Sequence, residues 1–354
     1  MDKENSKKSY TVGSLFAGVG GICLGFQQAG FDVLWANEWD SKACETYRKN
    51  FKHKLYEGDI HDVDAKKVPK VDVITSGFPC QAFSIAGYRK GFHDERGDLF
   101  FETMRFINEV KPKAFLLENV KNLASHDKGN TIKVIEEFVK MGSKYSYLPI
   151  VLNSMSYGNV PQNRERIYIV GFRGEADYWG DMDYDNICTK VFNFPKPIKQ
   201  VRTIKDIIEN KKVDEKYYYE RYSGINKSMY DMLCGQMTNP NSVYQWRRIY
   251  VRENKSGVCP TLTANMGTGG HNVPLIKDGT GIRKFTPREC ARLQGFPDSF
   301  ILTKDMADSH LYKQMGNSVT VPVIRRIAEQ IRIALDAKYK GISLKEKNME
   351  KIRV

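Results

Sequence analysis

Between about residues 10 and 170 the chain repeats one unit, a short apolar run followed by a stretch of helical periodicity. Residues 11–16 read as a strand and residues 20–29, closed by Gly30, as the helix after it. Residues 31–36 read as the next strand, and residues 41–50 as the next helix with Ser41 at its N-cap. Residues 71–75, 114–117, 147–152 and 166–171 read as further strands, while 131–140 has the spacing of a helix packed on a sheet. Parallel neighbours need a crossover longer than a hairpin turn, and an amphipathic helix supplies it while covering one face. The alternation therefore predicts an α/β fold, a doubly wound and mostly parallel sheet with helices on both sides.

Beyond about residue 180 the alternation stops. Residues 181–280 are rich in Tyr, Asn, Gly and Lys, with strand-like pieces such as 248–251 and a glycine-rich loop at 266–270. They read as a second, smaller and irregular domain. Residues 10–180 form the large domain, and 281–340 return to it through a helix at about 321–338. Residues 1–9 and 341–354 read as polar tails. At 354 residues, 41% hydrophobic and 27% charged, the chain is long enough for both domains.

No apolar run approaches the ~20 residues of a membrane span, and residues 1–8 lack the apolar core of a signal peptide. Seven cysteines are scattered without a Cys-x-x-Cys pair, and the six histidines lack ligand spacing. The expectation is a cytoplasmic protein with reduced thiols and no metal. A net charge of +13 points to a polyanionic partner, nucleic acid foremost. Part of that charge is a solubilising excess, since Lys7, Lys8, Lys345, Lys347 and Lys351 lie in the tails. Arg247, Arg248 and Arg252 are more telling. They sit among Tyr244, Trp246 and Tyr250, where phosphate clamping and base contact are both open.

The first strand runs into Phe16-Ala17-Gly18-Val19-Gly20-Gly21. Glycines there let a ligand approach the backbone at a helix N-terminus, although many such turns are purely structural. The dinucleotide pattern would place a third glycine at 23, which is Cys23. Glu38 ends the second strand, where a carboxylate can accept hydrogen bonds from both hydroxyls of a ribose. Trp39 beside it can lie against an adenine face. Asp59-Ile60 ends a third strand, where a carboxylate can accept from an exocyclic amine. An adenosine site without a pyrophosphate cradle favours S-adenosylmethionine over NAD.

Two further strands end in chemistry. Residues 71–75 lead into Gly77-Phe78-Pro79-Cys80-Gln81, a tight turn presenting one thiol, and residues 114–117 end in Glu118-Asn119-Val120. A thiol and a carboxyl at the ends of two strands are the parts needed to add a nucleophile to a ring and protonate it. The alternative for Cys80 is a small buried apolar residue, which the flanking Pro79 and Gln81 and the strand-end position disfavour.

At this point the chain resembles the cytosine-C5 DNA methyltransferases, in particular the bacterial enzymes of restriction-modification systems. The resemblance spans roughly residues 10–340 and rests on the ordered set just quoted, followed by Gln162-Asn163-Arg164-Glu165-Arg166, then Arg288-Glu289-Cys290-Ala291-Arg292-Leu293-Gln294-Gly295-Phe296-Pro297, and Gly316-Asn317-Ser318-Val319. It implies a Rossmann-like catalytic domain, S-adenosylmethionine as cofactor, and a smaller target-recognition domain for double-stranded DNA. It implies Cys80 as nucleophile, Glu118 as the acid that holds N3 and the exocyclic amine of a flipped cytosine, and Arg164 and Arg166 around its O2. Phe16, Gly18, Gly20, Glu38, Trp39, Asp59, Ile60, Pro79, Leu99, Asn317 and Ser318 fall where the family holds its cofactor. Residues 81–100 resemble a loop that closes over DNA, with Ser84 on it. Gln245 falls where relatives fill the gap left by the flipped base, and Thr261 and Leu262 match a Thr-Leu signature of the recognition domain, beside Arg247, Arg248 and Arg252. The resemblance also implies a monomer, nucleoid-associated when bound to DNA, with a cognate endonuclease acting separately. A tRNA cytosine-C5 methyltransferase is the alternative. That branch carries a Cys-Phe-Thr tripeptide absent here. A catalytically silent DNA-binding protein would not need Cys80, Glu118 and Arg166 together.

Overall fold

The computed structural model describes residues 9–79, 98–174, 187–219, 227–247, 249–267 and 273–339. The large sheet contains β1 (Thr11–Leu15), β2 (Asp32–Glu38), β3 (Lys54–Glu57), β4 (Val73–Ser76), β5 (Ala114–Val120), β6 (Leu148–Asn153) and β8 (Glu165–Phe172); β7 (Gln162–Asn163) stands apart from it. The spatial order is β3-β2-β1-β4-β5-β8-β6. The pairs among β1 to β5 are parallel, whereas β8 runs antiparallel to both β5 and β6. The order reverses at β1 and β4, the point where ligands of such sheets bind beyond the strands' carboxyl ends.

Side chains alternate between two cores, as a sheet covered on both faces requires. On β5, Ala114 and Leu116 join one core, with Phe26, Tyr168 and Ile324, while Phe115 and Leu117 join the other, with Trp35, Phe106 and Ile169. The long C-terminal helix Val321–Tyr339 packs on the first helix, Gly21–Gln28, which returns the chain's end to its start. Helix Ser41–Asn50 has the predicted span, but its N-cap is Asp40 rather than Ser41. The Asp40 carboxylate accepts from the Lys42 and Ala43 amides, so the better acceptor one residue earlier wins.

The second domain has its own four-stranded sheet, built from β9 (Val243–Arg247), β10 (Tyr250–Asn254), β12 (Leu275–Lys277) and β13 (Ile282–Lys284) in the order β10-β9-β12-β13. It extends past residue 280, where the sequence reading closes this domain. Leu233, Met237, Tyr244, Trp246, Val251, Leu275 and Ile282 form a separate small core. Between its strands, β11 (Cys259–Pro260) leaves the sheet and pairs in parallel with β7.

A buried ion cluster fastens the four-stranded sheet to helix Pro287–Leu293. Arg283 on β13 donates to both carboxylate oxygens of Glu289 at 2.8 Å and to Asp278 at 2.6 Å. Glu289 also accepts from the Thr286 amide in a capping box and from the Glu209 amide. Replacing Glu289 by Ala leaves the buried guanidinium with Asp278 as its remaining carboxylate and takes the acceptor from the Glu209 and Thr286 amides. We expect Glu289→Ala to lower unfolding free energy by about 3–5 kcal/mol, read as a fall in denaturant midpoint.

Candidate active site

The residues around the carboxyl ends of β1, β2, β4 and β5 converge. Phe16 leaves β1 with φ +52°, a left-handed conformation that a phenylalanine seldom adopts and that turns the chain sharply at the strand end. Gly18 follows at φ +56°, with nothing within 4 Å of where a Cβ would stand, so the backbone there faces open space. Gly20 answers a different need. A Cβ there would meet the Phe51 ring at 2.2 Å, so packing alone requires glycine at this position.

Glu38 is buried and holds this loop. Its carboxylate accepts from the amides of Gly18 at 2.7 Å, Trp39 at 3.0 Å and Asp40 at 2.8 Å. Burial pushes its pKa up, against the pull of those donors. A carboxylate offers about four acceptor positions, and backbone amides take three of them here. Trp39 is 74% exposed, an indole face free to stack. Asp59 lies two residues past β3 and caps a single 3₁₀ turn; its exposed carboxylate accepts from the His61 amide, which holds its pKa low. The Ile60 side chain is in the core.

Ser318 completes this side. Its hydroxyl is buried without a hydrogen-bond partner among the described residues, and it stands 2.8 Å from where a Cβ on Gly21 would be. Asn317, just before it, is exposed at the end of helix Asp308–Asn317. Leu99 is half-buried at the start of helix Asp98–Val110. An orphan hydroxyl, an open glycine and an exposed indole fit an adenosine-bearing cofactor.

Glu118 lies inside β5 rather than beyond its end, since the strand runs on to Val120. Arg166 on β8 is opposite Val120, one diagonal step from Glu118 on the same face, and its Nε stands 3.3 Å from Glu118 Oε1. Desolvation raises the Glu118 pKa, and Arg166 and then Arg164 oppose the shift. A Cβ on Gly77 would stand 3.8 Å from both Glu118 Oε2 and the Phe16 carbonyl. The Asn119 amide donates to the Phe78 carbonyl at 2.8 Å and so fixes the backbone two residues before Cys80. Sequence reasoning gave Asn119 no such part, though its place beside Glu118 was the available signal. Pro79 is exposed. Cys80, Ser84 and Arg248 lie outside the described residues.

Two of the expected site residues are buried. Arg164 is turned inwards and 2% exposed; its guanidinium donates to the carbonyls of Leu262, Gly316 and Ser318, not towards the space beside Glu118. Leu262 is fully buried. The smaller sheet sorts the remaining candidates by face. On β9 and β10, Tyr244, Trp246 and Val251 face the small core, while Gln245, Arg247, Tyr250 and Arg252 share the opposite face, Gln245 across from Arg252 and Arg247 across from Tyr250. Arg247, Tyr250 and Arg252 are exposed there, Gln245 half-buried, and Ile249 at the hairpin tip is 85% exposed. Ile249 had drawn no notice in the sequence because a lone apolar residue in a strand pattern carries no sign of exposure. Thr261 is half-buried and donates to the Asn163 carbonyl.

Comparison with known proteins gives the family. The family described as C-5 cytosine-specific DNA methylase matches residues 10–332. A type II methyltransferase, M.Bsp6I, from Bacillus sp. (strain RFL6) is 57% identical over 323 residues, covering 90% of this chain and 98% of the relative. M.HhaI from Haemophilus parahaemolyticus, also a type II methyltransferase, is 40% identical over 339 residues, covering 92% and 94%. Among solved structures, a putative DNA modification methyltransferase encoded within an Escherichia coli prophage superposes with a TM-score of 0.64 at 25% identity, covering 93% of this chain and all of that one. The Dnmt2 methyltransferase of S. pombe has the same TM-score at 19% identity and covers 93% and 99%, a likeness of fold. With a family match over nearly the whole chain and this site at its sheet's carboxyl edge, the protein belongs to the C-5 cytosine-specific DNA methylases.

Proposed function

We propose that this enzyme transfers methyl groups to C5 of a cytosine flipped from a specific DNA duplex, with Cys80 as nucleophile and Glu118, held by Arg166, as the acid at the ring. S-adenosylmethionine supplies an electrophilic methyl group on a sulfonium. The observation that carries the reading is the Glu118–Arg166 pair standing beside Gly77, with Asn119 fixing the chain that leads to Cys80.

Cytosine C5 is a weak nucleophile. Attack of the Cys80 thiolate at C6 forms the S–C6 bond and moves the ring's electron pair to C5, while a proton from Glu118 arrives at N3. C5 would then take the methyl group that a bound sulfonium supplies, leaving a neutral thioether, and the N3 proton would return to Glu118. Loss of the C5 proton expels the sulfur from C6 and restores the ring. Arg166, 3.3 Å from Glu118, supports the reading by holding that carboxyl, and in the reading it meets the base's O2. Glu38, Trp39, Asp59 and Ser318 bind and orient the cofactor's adenosine end. The base reaches this site only outside the helix, at a cost of a few kcal/mol in lost stacking, and the face bearing Gln245, Arg247, Tyr250 and Arg252 is the reading's DNA surface. In the cell, the reading is a type II restriction-modification methyltransferase, a cytoplasmic monomer that meets DNA at the nucleoid and protects it from a separately acting endonuclease. Among the described residues no helix is long and apolar enough to cross a membrane.

Methylation of a mixed DNA pool with labelled cofactor, followed by bisulfite sequencing, tests the activity, and a tRNA pool run in parallel tests the alternative. Label confined to one cytosine context in DNA is the expected result; label in tRNA alone overturns it. Trp39→Ala is expected to weaken S-adenosylhomocysteine binding about tenfold, since stacking on an aromatic ring contributes roughly 1–3 kcal/mol; calorimetric titration checks it. Arg247→Ala and Arg252→Ala are each expected to lower duplex affinity and, where the arginine clamps a phosphate, to reduce the salt slope by about 0.9 for every sequence alike. Relaxed preference at one base position identifies a base reader instead.

A further inference from the structure

Outside the catalytic pair, the most heavily built polar feature is a buried hub on residues 162–164, the segment that joins β7 to β8. Gln162 is fully buried. Its Oε1 accepts from the Leu262 amide at 3.1 Å, and its Nε2 donates to the Leu293 carbonyl at 2.9 Å. Arg164 donates through one nitrogen to the Leu262 carbonyl at 2.8 Å and through the other to the carbonyls of Ser318 at 2.5 Å and Gly316 at 3.2 Å. Gln294, also fully buried, donates to the Met315 carbonyl at 2.8 Å. The hub thus grips two strips of backbone. One holds Thr261 and Leu262 at the foot of the recognition domain; the other, residues 315–318, borders the cofactor side. The strips also touch directly, since a Cβ on Gly316 would stand 2.1 Å from the Thr263 carbonyl oxygen.

We infer that Gln162 and Arg164 are positioning residues that tie the DNA-side strip to the cofactor-side strip, so that each ligand tightens the binding of the other. The inference rests on the ligand sides assigned above. A guanidinium is a rigid planar fork. It can hold both strips only when they stand in one relative position, and movement of either leaves a buried carbonyl without its donor. A ligand that fixes one strip therefore sets the other in advance, and by linkage the effect runs equally in both directions. Burying a guanidinium costs desolvation that apolar packing would avoid, and the two strips it joins are what that charge secures. Arg164 Nε, buried and unpartnered among the described residues, marks the side chain as aimed by its outer nitrogens.

The test uses the full-length protein, S-adenosylhomocysteine, and a duplex carrying the cytosine context that sequencing identifies; with no methyl donor present, nothing turns over. Each dissociation constant is measured with and without a saturating amount of the other ligand. The wild type is expected to show mutual tightening of about tenfold, within the usual range of coupling between sites. Arg164→Lys and Gln162→Met are each expected to bring that ratio to about twofold or less. Should Arg164→Lys not fold, Gln162→Met decides. A ratio near one in the wild type, or a wild-type ratio retained in a folded variant whose melting temperature has fallen, overturns the inference and leaves a structural role. Ser318→Ala with unaltered S-adenosylhomocysteine affinity would instead defeat the cofactor-side assignment on which it rests.

Discussion

Cys80→Ser is expected to slow methyl transfer by at least about 10⁴-fold, the scale seen when a covalent nucleophile is removed from an otherwise intact site. Attack at C6 needs an anion. A thiol ionises near neutral pH when cations or backbone donors lie close, whereas a serine hydroxyl stays protonated there. The approach to residue 80 is fixed by groups that the substitution leaves alone, the Asn119 amide on the Phe78 carbonyl and the buried Phe78 ring. Duplex and cofactor affinities should therefore survive in the variant. Single-turnover transfer of labelled methyl, with binding measured separately, checks both halves. A serine enzyme within tenfold of the wild type contradicts the nucleophile assignment.

Glu118→Gln is expected to reduce kcat by about 10² to 10⁴-fold, the usual contribution of a positioned general acid. The amide retains the shape and part of the hydrogen bonding to the base, so KM for DNA should change little. The pH behaviour distinguishes this from simple damage. Burial raises the Glu118 pKa above the usual 4.5, with Arg166 and Arg164 opposing the shift. The folded protein therefore keeps this proton longer than the unfolded chain does. Its stabilising contribution is complete below the unfolded pKa and is lost as pH rises through the folded one. Glutamine does not titrate, so the melting temperature of Glu118→Gln should gain on the wild type as pH climbs from 4.5 upward. A constant difference across that range means that the carboxyl is not raised.

The fold was legible because strand alternation is a local property. The runs at 114–117 and 166–171 alternate residues between two buried faces, and their side chains do so in the structure. What a strand pattern does not encode is its partner's direction; β8 reads like β4 in sequence and pairs antiparallel. Local rules also decided badly between adjacent caps, since Asp40 and Ser41 both suit an N-cap. The pairing of Glu118 with Arg166 agrees with what motif and position suggested. The fate of Arg164 was not legible, because it depends on carbonyls 98 and more residues away, and an arginine next to a functional arginine reads as another functional one. The burial of Leu262 was hidden for the same reason: a signature marks a position, not whether the side chain or the backbone is used, and here its amide and carbonyl are the parts gripped.

The central claim, transient attachment of the Cys80 sulfur to C6, is tested most directly with a duplex carrying 5-fluorocytosine at the target position, incubated with cofactor and digested for peptide mass spectrometry. Fluorine cannot leave as the proton does, so the ring cannot be restored and the adduct persists. The account predicts a denaturation-resistant complex whose cross-linked peptide contains Cys80, absent in Cys80→Ser. Methyl transfer without any trapped complex, or trapping through another residue, would contradict it.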